Sequence, residues 1–338
     1  RKRSLAGRHR MRQSGLKKEA RMRVAAAQAH PAWGDKDAGT KRVVEWIGRA
    51  AAEDVELVAF GETFLSGYPF WVSRTDGARF AAADQKEAYA FYLDAAVELG
   101  GPELAQIAEA VRDLEVFTYL GITERGAGPA RGTVYCTLVA IDPARGVVSA
   151  HRKLMPTYEE RLVWGAGDGH GLRVHEVGPA RAGGLNCWEN WLPQARHALY
   201  AQGEDLHVAV WPGSTGLTRD ATRFVALEGR SFVLSAGALL SPDDVSESFP
   251  LREAALEGAP EIMYDGGSCV AGPDGEWIAE PVSGEERLVI SDVDLARVRE
   301  ERQNFDPTGH YARPDVFEVR VHRRRLDAST FDEGLEGR

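Results

Sequence analysis

Residues 183–193 read Gly-Gly-Leu-Asn-Cys-Trp-Glu-Asn-Trp-Leu-Pro. The apolar stretch 182–186 predicts a short strand ending at Cys187. Pro193, with its φ already in the helical range, predicts the start of a helix that Gly203 can close. A thiol at such a strand-to-helix junction stands at the end of a sheet, where a side chain can meet a pocket. Downstream, residues 207–211 read as a buried strand, 221–229 as helix and 232–236 as strand again.

The same alternation runs upstream. Residues 24–29 form an apolar strand, Val43, Ile47, Ala50 and Ala51 recur at helical spacing, and 56–60 read as a buried strand. Pro102 opens a helix with Leu104, Ile107, Ala108 and Val111 on one face, followed by a strand over 116–122. Residues 133–141 and 146–150 flank Asp-Pro-Ala-Arg, a hairpin turn. Residues 241–263, rich in Pro, Ser, Asp and Glu, are the longest irregular region. Strands over 268–271, 277–281 and 287–293 then close the pattern around Gly-Pro-Asp-Gly. With no internal repeat and no clean linker, one α/β domain is favoured, although alternation alone permits a doubly wound sheet or a barrel equally well.

Composition narrows the function classes. The chain has 338 residues, 43% hydrophobic and 27% charged, and no apolar run approaching the ~18–20 residues that cross a bilayer. A net charge of −10 argues against nucleic acid as the main partner. Residues 1–23 nevertheless hold ten Arg or Lys and one Glu, so residues 1–21 read as an unfolded basic leader and 322–338 as a polar tail. Three cysteines in so long a chain do not form a disulfide framework and fit a reducing cytoplasm. No Cys or His cluster has zinc-type spacing, so no metal is expected. Cys136 and Cys269, inside apolar strands, read as small buried hydrophobes.

Two further segments carry partners for Cys187: Phe-Gly-Glu-Thr-Phe around Glu62, and His-Arg-Lys-Leu-Met-Pro-Thr-Tyr-Glu-Glu-Arg around Lys153 and Glu160. Together the three segments resemble the nitrilase branch of the carbon–nitrogen hydrolase superfamily, which works with a Glu–Lys–Cys triad. The resemblance runs from about residue 22 to about residue 321. It includes Glu-Arg-x-x-Trp-Gly-x-Gly-Asp-Gly at 160–169 and Gly-His-Tyr-Ala-Arg-Pro-Asp-Val-Phe at 309–317. Two positions depart from the usual pattern: Gly61, where Pro is commoner and where Gly loosens the backbone, and the polar Asn186 before Cys187.

The resemblance implies a four-layer α-β-β-α sandwich that pairs across a helical face into a homodimer or larger helical homo-oligomer. It also implies hydrolysis of a small-molecule nitrile to the carboxylic acid and ammonia, without a cofactor. Cys187 is then the nucleophile, Glu62 the general base, Lys153 the cation that supports developing charge, and Glu160 the group that orients them. Glu160 paired structurally with Arg161 is the alternative for that residue. The backbone N–H of Trp188 is a natural donor to a tetrahedral centre. A unit-charge pair at about 4 Å and an effective dielectric near 20 is worth roughly 4 kcal/mol, or about three pKa units. Lys153 is thereby expected to bring the Cys187 thiol below neutral, with Glu62 opposing, so that the three titrate together.

Aromatic residues crowd the same segments. Trp188, Tyr68, Phe64, Trp164 and Trp211 are candidates to line an apolar substrate pocket; the competing reading of these and of Phe70, Trp71 and Trp191 is core or dimer-seam packing. An amidase or a cyanide hydratase or dihydratase with the same triad is the alternative activity, and a non-catalytic assembly protein the alternative class.

Overall fold

Strand β1 (Arg21–Gln28, RMRVAAAQ) carries apolar side chains on both of its faces, a pattern that only a strand covered on both sides satisfies. The computed structural model, which describes residues 20–326 and 329, places it so. Val24 and Ala26 face a second sheet, while Ala25 and Ala27 face helices. Residues 1–19, 327–328 and 330–338, which include most of the basic leader and of the polar tail, lie outside the described residues.

Two mixed sheets pack face to face. The first has six strands in the order β13-β1-β2-β3-β4-β5, with β2 Leu57–Phe60, β3 Phe117–Arg125, β4 Val134–Asp142, β5 Gly146–Arg152 and β13 Arg287–Asp294. The second has seven, ordered β10-β11-β9-β8-β7-β6 with β12 paired to β11. Its strands are β6 His175–Val177, β7 Ala180–Asn186, β8 Leu206–Trp211, β9 Phe232–Gly237, β10 Leu239–Leu240, β11 Tyr264–Ala271 and β12 Trp277–Ser283. In each sheet three parallel strands, β1–β2–β3 and β7–β8–β9, form the centre and antiparallel strands the edges.

Helices cover the outer faces. On the first sheet, α1 (Lys36–Ala52) and α4 (Pro102–Leu114) bury Val43, Ile47, Leu104, Ile107 and Val111 against Val58 and Phe60. On the second, α5 (Pro193–Tyr200) packs Ala195 and Leu199 on Leu185, and α6 (Thr215–Gly229) packs Ala221 and Val225 on Ala209 and Val233. The result is the four-layer α-β-β-α sandwich. Among the described residues no helix is long and apolar enough to cross a membrane.

Some elements differ from the sequence expectation. Helix α3 (Ala83–Ala95), after the short α2 (Trp71–Arg74), buries only Ala88, Tyr92 and Ala95, too narrow a stripe for periodicity to announce. The region 241–263 holds a 3₁₀ turn at Pro242–Asp244 and a helix α7 (Arg252–Leu256); α8 (Ala296–Glu301) follows β13. The predicted hairpin turn is present: the Asp142 carboxylate accepts from the Ala144 and Arg145 N–H groups at 2.8 and 3.0 Å. Gly61 sits at a close approach between the two sheets. A Cβ there would lie 2.9 Å from both the Trp211 carbonyl and the Ala238 nitrogen, so it lets the first sheet's loop approach the second sheet.

The strand directions gather the chemistry. β5 is antiparallel to β4, and β4 to β3, so β5 runs with β2 and both end at the same edge. Glu62 lies just past β2 and Lys153 just past β5; Cys187 follows β7 in the facing sheet.

Candidate active site

Cys187 adopts a left-handed backbone conformation, φ 48°, which few non-glycine residues tolerate without support. Glu189 supplies part of that support. Its buried carboxylate accepts from the Asn186 N–H (3.1 Å), the Leu154 N–H (2.8 Å) and His151 Nε2 (2.8 Å). One side chain therefore ties the cysteine turn to the segment carrying Lys153. Burial pushes the Glu189 carboxyl up, but its contacts with His151 and with the Leu154 and Asn186 N–H groups outweigh this and hold it below the usual carboxylate range.

Four sequence-predicted residues meet behind this turn. Glu62 and Lys153 are each 1% exposed, Cys187 and Glu160 2%. Lys153 Nζ donates to Glu62 Oε1 at 2.9 Å and to Glu160 Oε2 at 2.7 Å. Glu160 is held in turn by the Tyr68 hydroxyl (2.9 Å) and the Thr157 N–H (2.6 Å), not by Arg161, whose Nε bonds the Pro156 carbonyl. The Trp164 ring centre lies 5.4 Å from Lys153 Nζ. Glu62 takes its backbone position from its N–H bond to the Trp211 carbonyl, 3.0 Å. Its second oxygen, Oε2, is buried with no hydrogen-bond partner among the described residues.

Glu62, Glu160 and Cys187 each present one ligand atom within 4.8 Å of the others, a donor set chemically able to hold a metal ion. Here the Lys153 ammonium already bonds both carboxylates and serves as their counter-charge.

Charge in this enclosed space sets the proton positions. Burial pushes the Glu62 carboxyl up to about 7, with Glu160 adding to the rise and Lys153 restraining it. Burial acts to lower the Lys153 ammonium, but Glu62, Cys187, Cys136 and Glu160 outweigh it and hold it well above the usual lysine range. Burial, then Glu62, pushes the Cys187 thiol well up against the pull of Lys153. The direction is opposite to the expected lowering: burial first, and then the two carboxylates, outweigh the single ammonium. The Trp188 backbone acts the other way and eases the shift.

The aromatic candidates separate by position. Tyr68 stands edge-on to Trp164 (5.5 Å) and Tyr264 (5.9 Å). Phe64, Tyr68 and Tyr264 line a small cavity that reaches Glu62, with Pro31, Leu239 and Leu240. Trp188 is 48% exposed beside Cys187. Trp211 is fully buried; its Nε1 donates to Ser235 Oγ at 3.3 Å and it packs in the cluster that contains Cys187 and Ala209. Phe70 and Trp71 pack around Trp33 in a core cluster that also holds Trp164 and Cys136, and Trp191 stacks on Phe224 at the surface.

Sequence reasoning missed Cys136 and Tyr264. Cys136 is no bland core thiol: its Sγ donates to Glu62 Oε1 at 3.3 Å, and its carbonyl accepts the Lys153 N–H at 2.8 Å. The predicted hairpin held the signal, because pairing Thr137 with Arg152 sets Cys136 beside Lys153.

Comparison with known proteins agrees with this geometry. A family model described as carbon–nitrogen hydrolase matches residues 23–303. A nitrilase of Bradyrhizobium diazoefficiens is 38% identical over 82% of this chain and 85% of its own. An aliphatic nitrilase of Rhodococcus rhodochrous is 34% identical over 89% and 83%, and nitrilase 1 of Arabidopsis thaliana 32% over 96% and 93%. In fold the chain resembles Saccharomyces cerevisiae Nit3, a member of the nitrilase superfamily, with a TM-score of 0.64 at 17% identity over 86% of this chain and 97% of that one. Through the matched family model and these relatives, the chain belongs to the carbon–nitrogen hydrolase family.

Proposed function

We propose that the protein is a nitrilase that converts an organic nitrile to the carboxylic acid and ammonia through covalent intermediates on Cys187. The observation that carries this reading is the buried Glu62–Lys153–Cys187 constellation, with Glu62 Oε2 left without a hydrogen-bond partner among the described residues. The nitrilase names of relatives that align over most of the chain support the choice of substrate.

In this reading Cys187 Sγ bonds to the nitrile carbon as its proton passes to Glu62, and Glu62 hands that proton on to the nitrile nitrogen, which gives a thioimidate and leaves Glu62 ionised again. Lys153 and the Trp188 N–H meet the charge that develops. Glu62 then takes a proton from a water that adds to the same carbon. The C–N bond then breaks as the nitrogen takes the proton held by Glu62 and the proton of the added hydroxyl, so that ammonia leaves and a thioester remains. A second water, deprotonated by Glu62, releases the acid and restores the thiol. Glu160, held by Tyr68 and Thr157, keeps Lys153 in place. Phe64, Tyr68, Trp164, Trp188 and Trp211 are proposed to shape the substrate's surroundings, Trp211 through the backbone position it gives Glu62.

We also propose that a second copy covers the exposed face formed by Trp191, Leu192, Phe224 and Leu227, each 38–43% exposed at α5 and α6. Light scattering coupled to size exclusion should then show a dimer or larger assembly, and Phe224→Glu should weaken it; a monomeric parent at micromolar concentration contradicts this.

Ammonia release should be followed across aliphatic, aromatic and arylacetic nitriles and the matching amides. Turnover of nitriles should vanish in Cys187→Ala, and fall by about 10²–10⁴-fold in Glu62→Gln and Lys153→Met. Activity on amides alone moves the protein to the amidase reading, and silence on all substrates supports a non-catalytic role.

The pH dependence has a definite sign. Glu62 must be ionised to accept the thiol proton, and burial sets its pKa at about 7. Acidification below that point should therefore reduce kcat/KM by about tenfold per pH unit. A profile that stays flat down to about pH 5 contradicts Glu62 as the base.

A further inference from the structure

Behind the cysteine turn lies a row of polar side chains that the reaction above does not use. Asn190, His207 and Glu204 are all fully buried. Asn190 Nδ2 donates to the Cys187 carbonyl at 2.9 Å and to the Leu185 carbonyl at 3.3 Å. These two bonds fix the orientation of the amide and turn its oxygen toward His207, whose Nε2 lies 2.7 Å away. An amide oxygen only accepts, so Nε2 carries the proton in this contact. His207 Nδ1 lies 3.0 and 3.2 Å from the two Glu204 oxygens. That contact needs a further proton, on Nδ1 or on the carboxyl, because a bare nitrogen lone pair and a carboxylate repel.

The motif that opens at Gly183 makes room for this row. A Cβ on Gly183 would lie 2.4 Å from Glu204 Oε1. Gly183, Cys187 and Asn190 thus belong to one arrangement that the spacing 183–187–190 writes into the sequence.

We propose that Asn190, oriented by the His207–Glu204 pair, is a positioning residue that fixes the Cys187–Trp188 peptide plane and so aims the Trp188 N–H at the reacting centre. The proposal rests on the reading of Cys187 as nucleophile. The plane is trans, as no described peptide bond is cis, so its C=O and N–H point in opposite directions from one rigid unit. Gripping the carbonyl on the Asn190 side therefore directs the N–H to the opposite side of the plane. The left-handed φ of 48° at Cys187 is costly for a residue with a Cβ, and the plane would relax if the grip were lost.

Full-length variants test this through three readouts: kcat and KM for ammonia release, the rate of Cys187 alkylation by iodoacetamide read on its own peptide, and thermal unfolding. Asn190→Ala and His207→Leu should lower kcat by about 10- to 100-fold with little change in KM, and slow alkylation in parallel. Asn190→Asp, the same shape without a donor for the Cys187 carbonyl, should do the same and serves if the alanine variant does not fold. Glu204→Gln, whose amide can donate to Nδ1, should remain close to the parent. A folded Asn190→Ala or Asn190→Asp protein with parental kcat and alkylation overturns the proposal, as does a Glu204→Gln protein as impaired as His207→Leu. Turnover surviving in Cys187→Ala would defeat the nucleophile reading instead, and the alkylation readout keeps the two failures apart.

Discussion

An ammonium held between two carboxylates inside the protein is the constraint on which the rest of the site depends. Lys153 is almost wholly buried, and a buried cation persists only where opposite charge and hydrogen bonds replace its lost water. Glu62 and Glu160 supply both at 2.9 and 2.7 Å. Removing one partner of such a group typically costs about 3–5 kcal/mol, since the remaining charge is left uncompensated. The surplus carboxylate is equally consequential. It adds to the burial that pushes the Cys187 thiol up, and it keeps a carboxyl group close to the sulfur.

The architecture exists to bring these groups together from distant parts of the chain. Three strand ends deliver Glu62, Lys153 and Cys187, two from one sheet and one from the other. Close backbone approach makes this possible. A Cβ on Gly121 of β3 would stand 2.1 Å from the Gly61 carbonyl and 2.5 Å from the Thr63 nitrogen, and Gly61 itself lies against the second sheet. Glu189 then links the two loops across the gap, so that the sulfur and the ammonium are placed by one carboxylate rather than by each sheet separately.

Much of this was legible in the sequence. β1, β2 and β7 to β9 announce themselves because strands covered on both faces read as apolar runs. Glu62, Lys153, Glu160 and Cys187 stood out through their flanking motifs, and the structure brings all four together. Distance in sequence concealed the rest. Glu204 and His207 sit in an ordinary strand approach, and nothing local ties them to Asn190. Cys136 reads as core because it is core; only the hairpin register shows that its sulfur faces Glu62. The sign of the thiol shift was missed because a pairwise Coulomb estimate counts the ammonium but neither the burial nor the second carboxylate.

The most direct test of the account is the identity of the covalent intermediate. Protein mixed with a saturating nitrile, quenched in acid during turnover and digested, should yield a modified peptide around residue 187, carrying the thioimidate or the acyl group derived from it. The peptides containing Cys136 and Cys269 should be unmodified. Turnover without any adduct, or an adduct on another residue, would contradict the assignment of Cys187 as the attacking group.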